Sequence, residues 1–208
     1  MEPIGSYLSG QRLKLSELQD YVIDIIYDRF QPDALLYGGT AIWRCFGGAR
    51  FSEYIDMYLD RRSFDSFISS LDRYGLRLLW QDPEFPTVIR IANDHTELLL
   101  KAKEGYVENE IRAYSRVDGS TKTISVLSPT ELMVRKIEAY LNRTFIRDIY
   151  DLFILTNWLD KPLYSFFNFL RISLRTVTVK FNNSQFRIRC IPLRRRNGGW
   201  STGRDHLF

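Results

Sequence analysis

Apolar residues early in the chain recur at helical spacing, and the period then changes. Leu18, Val22, Ile25, Ile26 and Phe30 fall three and four residues apart, which predicts an amphipathic helix. Ser16-Glu-Leu-Gln19 has the form of a capping box that would open this helix, and Pro32 would end it. Residues 34–37, Ala-Leu-Leu-Tyr, form a short apolar run that predicts a buried strand. Gly38-Gly39 predicts a tight turn, and residues 40–46 a short helix. Over 51–60 the period becomes two. Ile55, Met57 and Leu59 take one face of a strand, with Tyr54, Asp56, Tyr58 and Asp60 on the other.

A helix over 61–73 follows, beginning near Asp60 and ending at Gly75. Strands are expected at 76–81, 86–92 and 96–103, the last two joined by the turn-like Asn93-Asp94-His95. A turn at Asp118-Gly119 and a strand at 122–127 complete an α/β half, residues 1–127. Ser128-Pro-Thr-Glu131 is a second capping box with proline at the first helical position. Spacing stays helical to about residue 173, in two or three pieces, so 128–175 forms a helical region. On the helix 129–142, Met133, Val134, Ile137, Tyr140 and Leu141 make up the inner surface, with Lys136 beside it. Residues 176–208 differ in texture: a strand-like start, then an arginine-rich stretch broken by Pro192, Gly198, Gly199 and Gly203.

The 208 residues, 45% apolar and 26% charged, have the balance of an ordinary soluble globular protein. No apolar run approaches the ~20 residues that cross a bilayer, and the polar N-terminus lacks the apolar core of a secretory signal. Cys45 and Cys190 form neither a disulfide framework nor a metal spacing, so a reduced, cytoplasmic setting is expected. The net charge of +4 is unevenly spread. Residues 171–208 carry nine Lys/Arg against Asp205 alone, leaving 20 Lys/Arg against 24 Asp/Glu in the remaining 170. A basic tail on a mildly acidic body suits contact with nucleic acid, and equally a solvated end.

Gly38-Gly39-Thr40 between a strand and a helix offers backbone N–H groups at a helix N-terminus, an anion cradle. One short helix later come Ser52 and Asp56, and a strand with an acidic face beside such a cradle can hold Mg²⁺ against a phosphate. Two-metal chemistry wants a pair of acids two residues apart on one face. Tyr54 stands where the partner of Asp56 should be. Lys136 has two readings, a snorkelling surface lysine or a point charge for a phosphate. In Arg147-Asp-Ile-Tyr-Asp151, Arg147 and Asp151 are i,i+4 neighbours, and Asp148 and Asp151 are i,i+3. They form either a helix-surface ion pair or acids aimed at a cleft. His95 and His206 are the only histidines, which leaves almost no material for histidine-based metal or acyl chemistry.

Four segments in this order, LLYGGTAIW, RFSEYIDMYL, SPTELMVRKIEAYLNR and RDIYDLFIL, resemble the AbiEii/AbiGii-type nucleotidyltransferases. These are the toxin half of an abortive-infection toxin–antitoxin system. The resemblance covers roughly residues 33–60 and 124–158. It implies the α+β fold of the DNA polymerase β-like nucleotidyltransferases, a small mixed sheet flanked by helices and followed by a helical C-terminal half. It further implies Mg²⁺, a nucleoside triphosphate, an RNA acceptor such as tRNA, and a cognate antitoxin. By that resemblance Gly38, Gly39, Thr40 and Ser52 would cradle the triphosphate and Asp56 would bind metal. Lys136 would contact phosphate, Asp148 and Asp151 would be the acids of the last motif, and Arg147 would support them. Glu97, on strand 96–103, would supply the third acid. The departure is Tyr54, since the family pattern at 52–56 is Ser-Glu-Asp-Ile-Asp. A phenol with a pKa near 10 is a poor Mg²⁺ ligand. The expectation is therefore an impaired transferase, with a nucleotide- or RNA-binding module, or a protein-contact role, as the alternatives.

Overall fold

Helix α1 runs from Gly10 to Phe30, six residues further upstream than the capping-box reading placed its start. Ser16 lies inside the helix, with its hydroxyl donating to the Arg12 carbonyl one turn back. Gln19 is fully buried and donates its amide to the Ser52 carbonyl at 2.8 Å. The expected box is therefore a pair of inward-facing polar residues, and α1 buries Leu18, Val22, Ile23, Ile25, Ile26 and Tyr27. The computed structural model describes residues 4–30, 33–105, 107–159, 177–182 and 185–190. Pro32, the helical reading of 160–173 and the triple arginine Arg194–Arg196 lie outside them.

The chain separates into two compact units, Met1–Leu159 and Asp160–Phe208. In the first, α1 is followed by β1 (Leu35–Tyr37), α2 (Gly38–Cys45), β2 (Tyr54–Tyr58) and α3 (Arg61–Ile68). Then come β3 (Arg77–Gln81), β4 (Val88–Ala92), β5 (Glu97–Lys103), β6 (Asn109–Ser115) and β7 (Thr121–Leu127). Helices α4 (Pro129–Arg143) and α5 (Ile146–Thr156) close this unit. The seven strands form one mixed sheet in the order β3-β4-β5-β2-β1-β7-β6. β1 pairs antiparallel with β2 and parallel with β7, while β2 pairs parallel with β5. This is the α+β architecture expected: a mixed sheet flanked by helices. The second unit contains an antiparallel hairpin of β8 (Val177–Asn182) and β9 (Gln185–Cys190).

β6 was not foreseen, because its alternation is weak for a sheet-edge strand that buries only Tyr114. That tyrosine donates to Asp20 at 2.9 Å, and Asp20 pairs with the fully buried Arg44 at 3.2 Å. Tyr27 joins three elements. Its hydroxyl accepts from the Leu36 amide at 2.7 Å and donates to the Ser125 carbonyl at 2.6 Å, tying α1 to β1 and β7. Asp60 caps α3 by accepting from the amides of Arg62 and Ser63. Ser128 caps α4 by accepting from Glu131, with Pro129 at the first position.

On α4 the inner face is turned from the expected one. Leu132, Met133, Lys136 and Ile137 are buried, whereas Val134 and Leu141 are exposed. Lys136 thus lies within the packed surface instead of beside it, and the site explains why. Among the described residues no helix is long and apolar enough to cross a membrane.

Candidate active site

β1 passes directly into α2 through Gly38, whose φ of +79° lies in the left-handed region that favours glycine. Tyr37 precedes the helix without capping it by a side-chain hydrogen bond; Gly38 is partly exposed, while Gly39 and Thr40 behind it are buried. In the β1–β2 ladder Tyr37 lies opposite Asp56, which brings the Asp56 carboxylate against this turn. A Cβ on Gly38 would stand 2.5 Å from Asp56 Oδ2. A Cβ on Gly39 would stand 2.7 Å from Arg50 Nη2 and 2.8 Å from Ser52 Oγ. The turn is therefore ringed by Asp56, Ser52 and Arg50. Gly38 is required by its left-handed φ and the nearness of Asp56, while at Gly39 a Cβ would push the Arg50 and Ser52 side-chain ends aside. Thr40 differs, since its side chain is fully buried and its hydroxyl donates to the Tyr54 carbonyl.

Asp56 is half-buried, and burial pushes its pKa up while Lys101, Lys136, Lys103 and Arg143 pull it down. The register of the parallel β2–β5 pair sets Lys101 directly beside Asp56 and Leu99 beside Tyr54. Paired residues share a face, and adjacent strands lie about 4.8 Å apart, so Lys101 belongs to the Asp56 neighbourhood. Its ammonium lies 5.0 Å from the centre of the Tyr54 ring, and that of Lys103 lies 5.6 Å from the Tyr37 ring.

Helices α4 and α5 bring the remaining residues. Lys136 Nζ lies 2.6 Å from Asp151 Oδ2 and 3.7 Å from Asp148 Oδ1. Arg50 grips Asp151 with two hydrogen bonds, Nε at 3.1 Å and Nη2 at 2.8 Å. Arg143 grips Asp148 likewise, at 2.8 and 2.7 Å. Burial alone would raise the pKa of Asp148, but the Arg143 bonds and Lys136 hold it below the usual carboxylate range. Lys136 can be buried because two carboxylates from α5 neutralise it.

Of the residues singled out by sequence, Gly38, Gly39, Ser52 and Asp56 converge at the first turn of α2. Lys136, Asp148 and Asp151 form a linked ion-pair network that Arg50 joins to this turn. Two do not join. Glu97 is exposed, pairs with Arg90 at 3.1 Å, and lies four residues along β5 from Lys101, roughly 13 Å at the strand rise. Arg147 is exposed and stacks on Phe145, while Arg143 is the residue that grips Asp148. Sequence reading missed Arg50, Lys101, Lys103 and Arg143. Arg50 immediately precedes the strand segment, and Lys101 and Lys103 alternate along β5, yet only the β2–β5 register shows that they face Asp56.

A divalent metal fits these residues poorly. Among the described residues no group of three His, Cys, Asp or Glu is placed to hold one. Five cations, Arg50, Lys101, Lys103, Lys136 and Arg143, meet three carboxylates here, and Asp148 and Asp151 are already bound by cations. Asp56 alone remains, and the positive groups around it repel Mg²⁺ as they attract phosphate.

Comparison with known proteins gives the family. The model of the nucleotidyl transferase AbiEii toxin, type IV toxin–antitoxin system, matches residues 24–189. No curated protein matches the sequence. Among solved structures, the MenT4 nucleotidyltransferase toxin of Mycobacterium tuberculosis H37Rv superposes with a TM-score of 0.54 at 17% identity. That match covers 68% of this chain and 57% of that one, so this chain spans little more than half of MenT4. A putative nucleotidyltransferase from H. pylori gives a TM-score of 0.52 at 20% identity, over 72% of this chain and 70% of that one. An antigenic nucleotidyltransferase-like protein from Paracoccidioides brasiliensis gives 0.52 at 14%, over 77% and 89%. At such identities the likeness is one of fold.

Proposed function

Because this chain belongs to the AbiEii family of nucleotidyltransferase toxins, we propose that it binds a nucleoside triphosphate at the first turn of α2 and transfers the nucleotide only weakly. The phosphates would lie against the first turn of α2 at Gly38, with Ser52 and Asp56 on one side and the Lys136–Asp151–Arg50 network on the other. The observation that carries this reading is the ring of cations about a helix N-terminus that Tyr37 leaves uncapped, with Asp56 against Gly38. The acceptor would be RNA, tRNA among the candidates, in the cytoplasm, and an antitoxin partner follows from the type of system.

Transfer requires an acceptor hydroxyl to attack the α-phosphorus as pyrophosphate leaves. Asp56 is the one carboxylate of the site not held by a cation at ion-pair distance, and so the one able to take part. By the family resemblance Tyr54 stands where a second acid would be, and losing even outer partners of such a metal-binding acid typically costs 10–100-fold. A second reading, a binding module without turnover, is favoured by the same tyrosine and by the lysine stacked on it.

The test is incubation of native protein, Asp56→Ala, Tyr54→Asp and the Tyr54→Asp/Lys101→Ser double variant with total tRNA, Mg²⁺ and each α-labelled nucleoside triphosphate. An aspartate at 54 alone would pair with Lys101, so the double variant is expected to label RNA ~10–100-fold faster than the native chain. Asp56→Ala is expected to abolish labelling. Silence from all four with nucleotide binding retained would favour the binding module. Absence of nucleotide binding would overturn both readings.

A further inference from the structure

Arg50, Lys136 and Arg143 each have a carboxylate at ion-pair distance. Lys101 and Lys103 do not. Among the described residues no acid lies within ion-pair reach of either, and each ammonium rests on a tyrosine ring instead. The ring under Lys101 belongs to Tyr54, two residues before Asp56 on β2, and the Lys101 backbone is in register with Asp56. At this point of the sheet an aromatic platform stands two residues from Asp56, and a lysine is laid across that platform. We propose that the Lys101 ammonium, steadied by Tyr54, takes the place of a divalent cation, so that the site binds a polyphosphate without metal.

The electrostatics are consistent. A primary ammonium is a compact point charge with three N–H donors, suited to oxygens from neighbouring phosphates. A cation resting on an aromatic face is held in place without an anion to neutralise it, so its charge stays available to a ligand. Mg²⁺ entering the same space would meet Lys101 and Lys103 with only Asp56 to balance them. A triphosphate meets the two lysines and the uncapped first turn of α2, with Asp56 opposing. This inference rests on the nucleotide reading above and adds the means of charge neutralisation.

Equilibrium binding of each labelled nucleoside triphosphate to the full chain, in EDTA and in Mg²⁺, tests it. The dissociation constant is expected to change by less than about threefold between the two conditions. In EDTA, Lys101→Met is expected to weaken binding at least ~10-fold, and Lys101→Arg to keep it within ~3-fold. Tyr54→Phe, which retains the ring, is expected to match the native chain. Lys101 and Tyr54 are not core residues, so unchanged melting temperatures will show that the variants fold. Binding that requires Mg²⁺, or that survives Lys101→Met, would overturn the inference and leave the nucleotide reading standing. No binding in either condition would overturn both.

Discussion

Asp151→Asn should destabilise the chain through the cations it abandons. Asp151 is buried, with 2% of its side chain exposed, and it neutralises Lys136 at 2.6 Å and Arg50 at 2.8 Å. Orphaning a buried charge costs roughly 3–5 kcal/mol. Two features place this case at the lower end. Arg50, with 27% of its side chain exposed, can turn to water, and Lys136 keeps Asp148 at 3.7 Å. The expected loss is about 3 kcal/mol, nearly all from Lys136. For a unit of this size that lowers the melting temperature by roughly 6–12 °C, measurable by circular dichroism with urea unfolding alongside. Lys136→Met should cost only about 1 kcal/mol, because Asp151 keeps both Arg50 bonds and Asp148 keeps Arg143. The double variant should then be less damaged than the two single losses together, by about 1–2 kcal/mol. Additivity within ~0.5 kcal/mol, or a shift below ~2 °C for Asp151→Asn, would refute the claim that Lys136 is buried on the strength of its acids.

Other outcomes follow from the same geometry. Gly38→Ala combines a left-handed φ with a Cβ 2.5 Å from Asp56 Oδ2, so a loss of ~1–3 kcal/mol and weakened nucleotide binding are expected by calorimetry. Tyr27→Phe leaves the Leu36 amide and the Ser125 carbonyl buried without their partner, and should cost ~2–4 kcal/mol in urea titration. Asp148 has a folded pKa held below its unfolded value of 3.8, so its stabilisation is complete above that value and is lost as pH falls beneath it. Asp148→Asn should therefore flatten the acid limb of the stability curve. Asp60→Ala removes the cap of α3 and should cost about 1 kcal/mol.

The parts legible in the sequence were those set by local chemistry. A double glycine between an apolar strand and a helix can do few other things, and the alternation over 54–58 fixed which face Asp56 takes. Asp60 and Ser128 announced their helices by their own side-chain bonds. The first capping box misled because Ser16 and Gln19 are turned inward by contacts with Arg12 and Ser52, one of them far along the chain. Lys136 was misplaced for a related reason, since its burial depends on acids of the next helix. β6 was missed because a sheet-edge strand that buries one tyrosine leaves almost no periodic trace. Hardest to foresee was Lys101. Sequence alone does not give the register of two parallel strands whose partners, Asp56 and Lys101, lie far apart in the chain, and that register sets a cation where Glu97 was expected to bring an acid.

A crystal structure of the chain with a non-hydrolysable nucleoside triphosphate would examine the site most directly. Phosphate oxygens are expected against Gly38 at the first turn of α2, between Asp56 and the Lys101 ammonium. A nucleotide bound elsewhere on the chain, with the first turn of α2 left bare, would contradict the assignment.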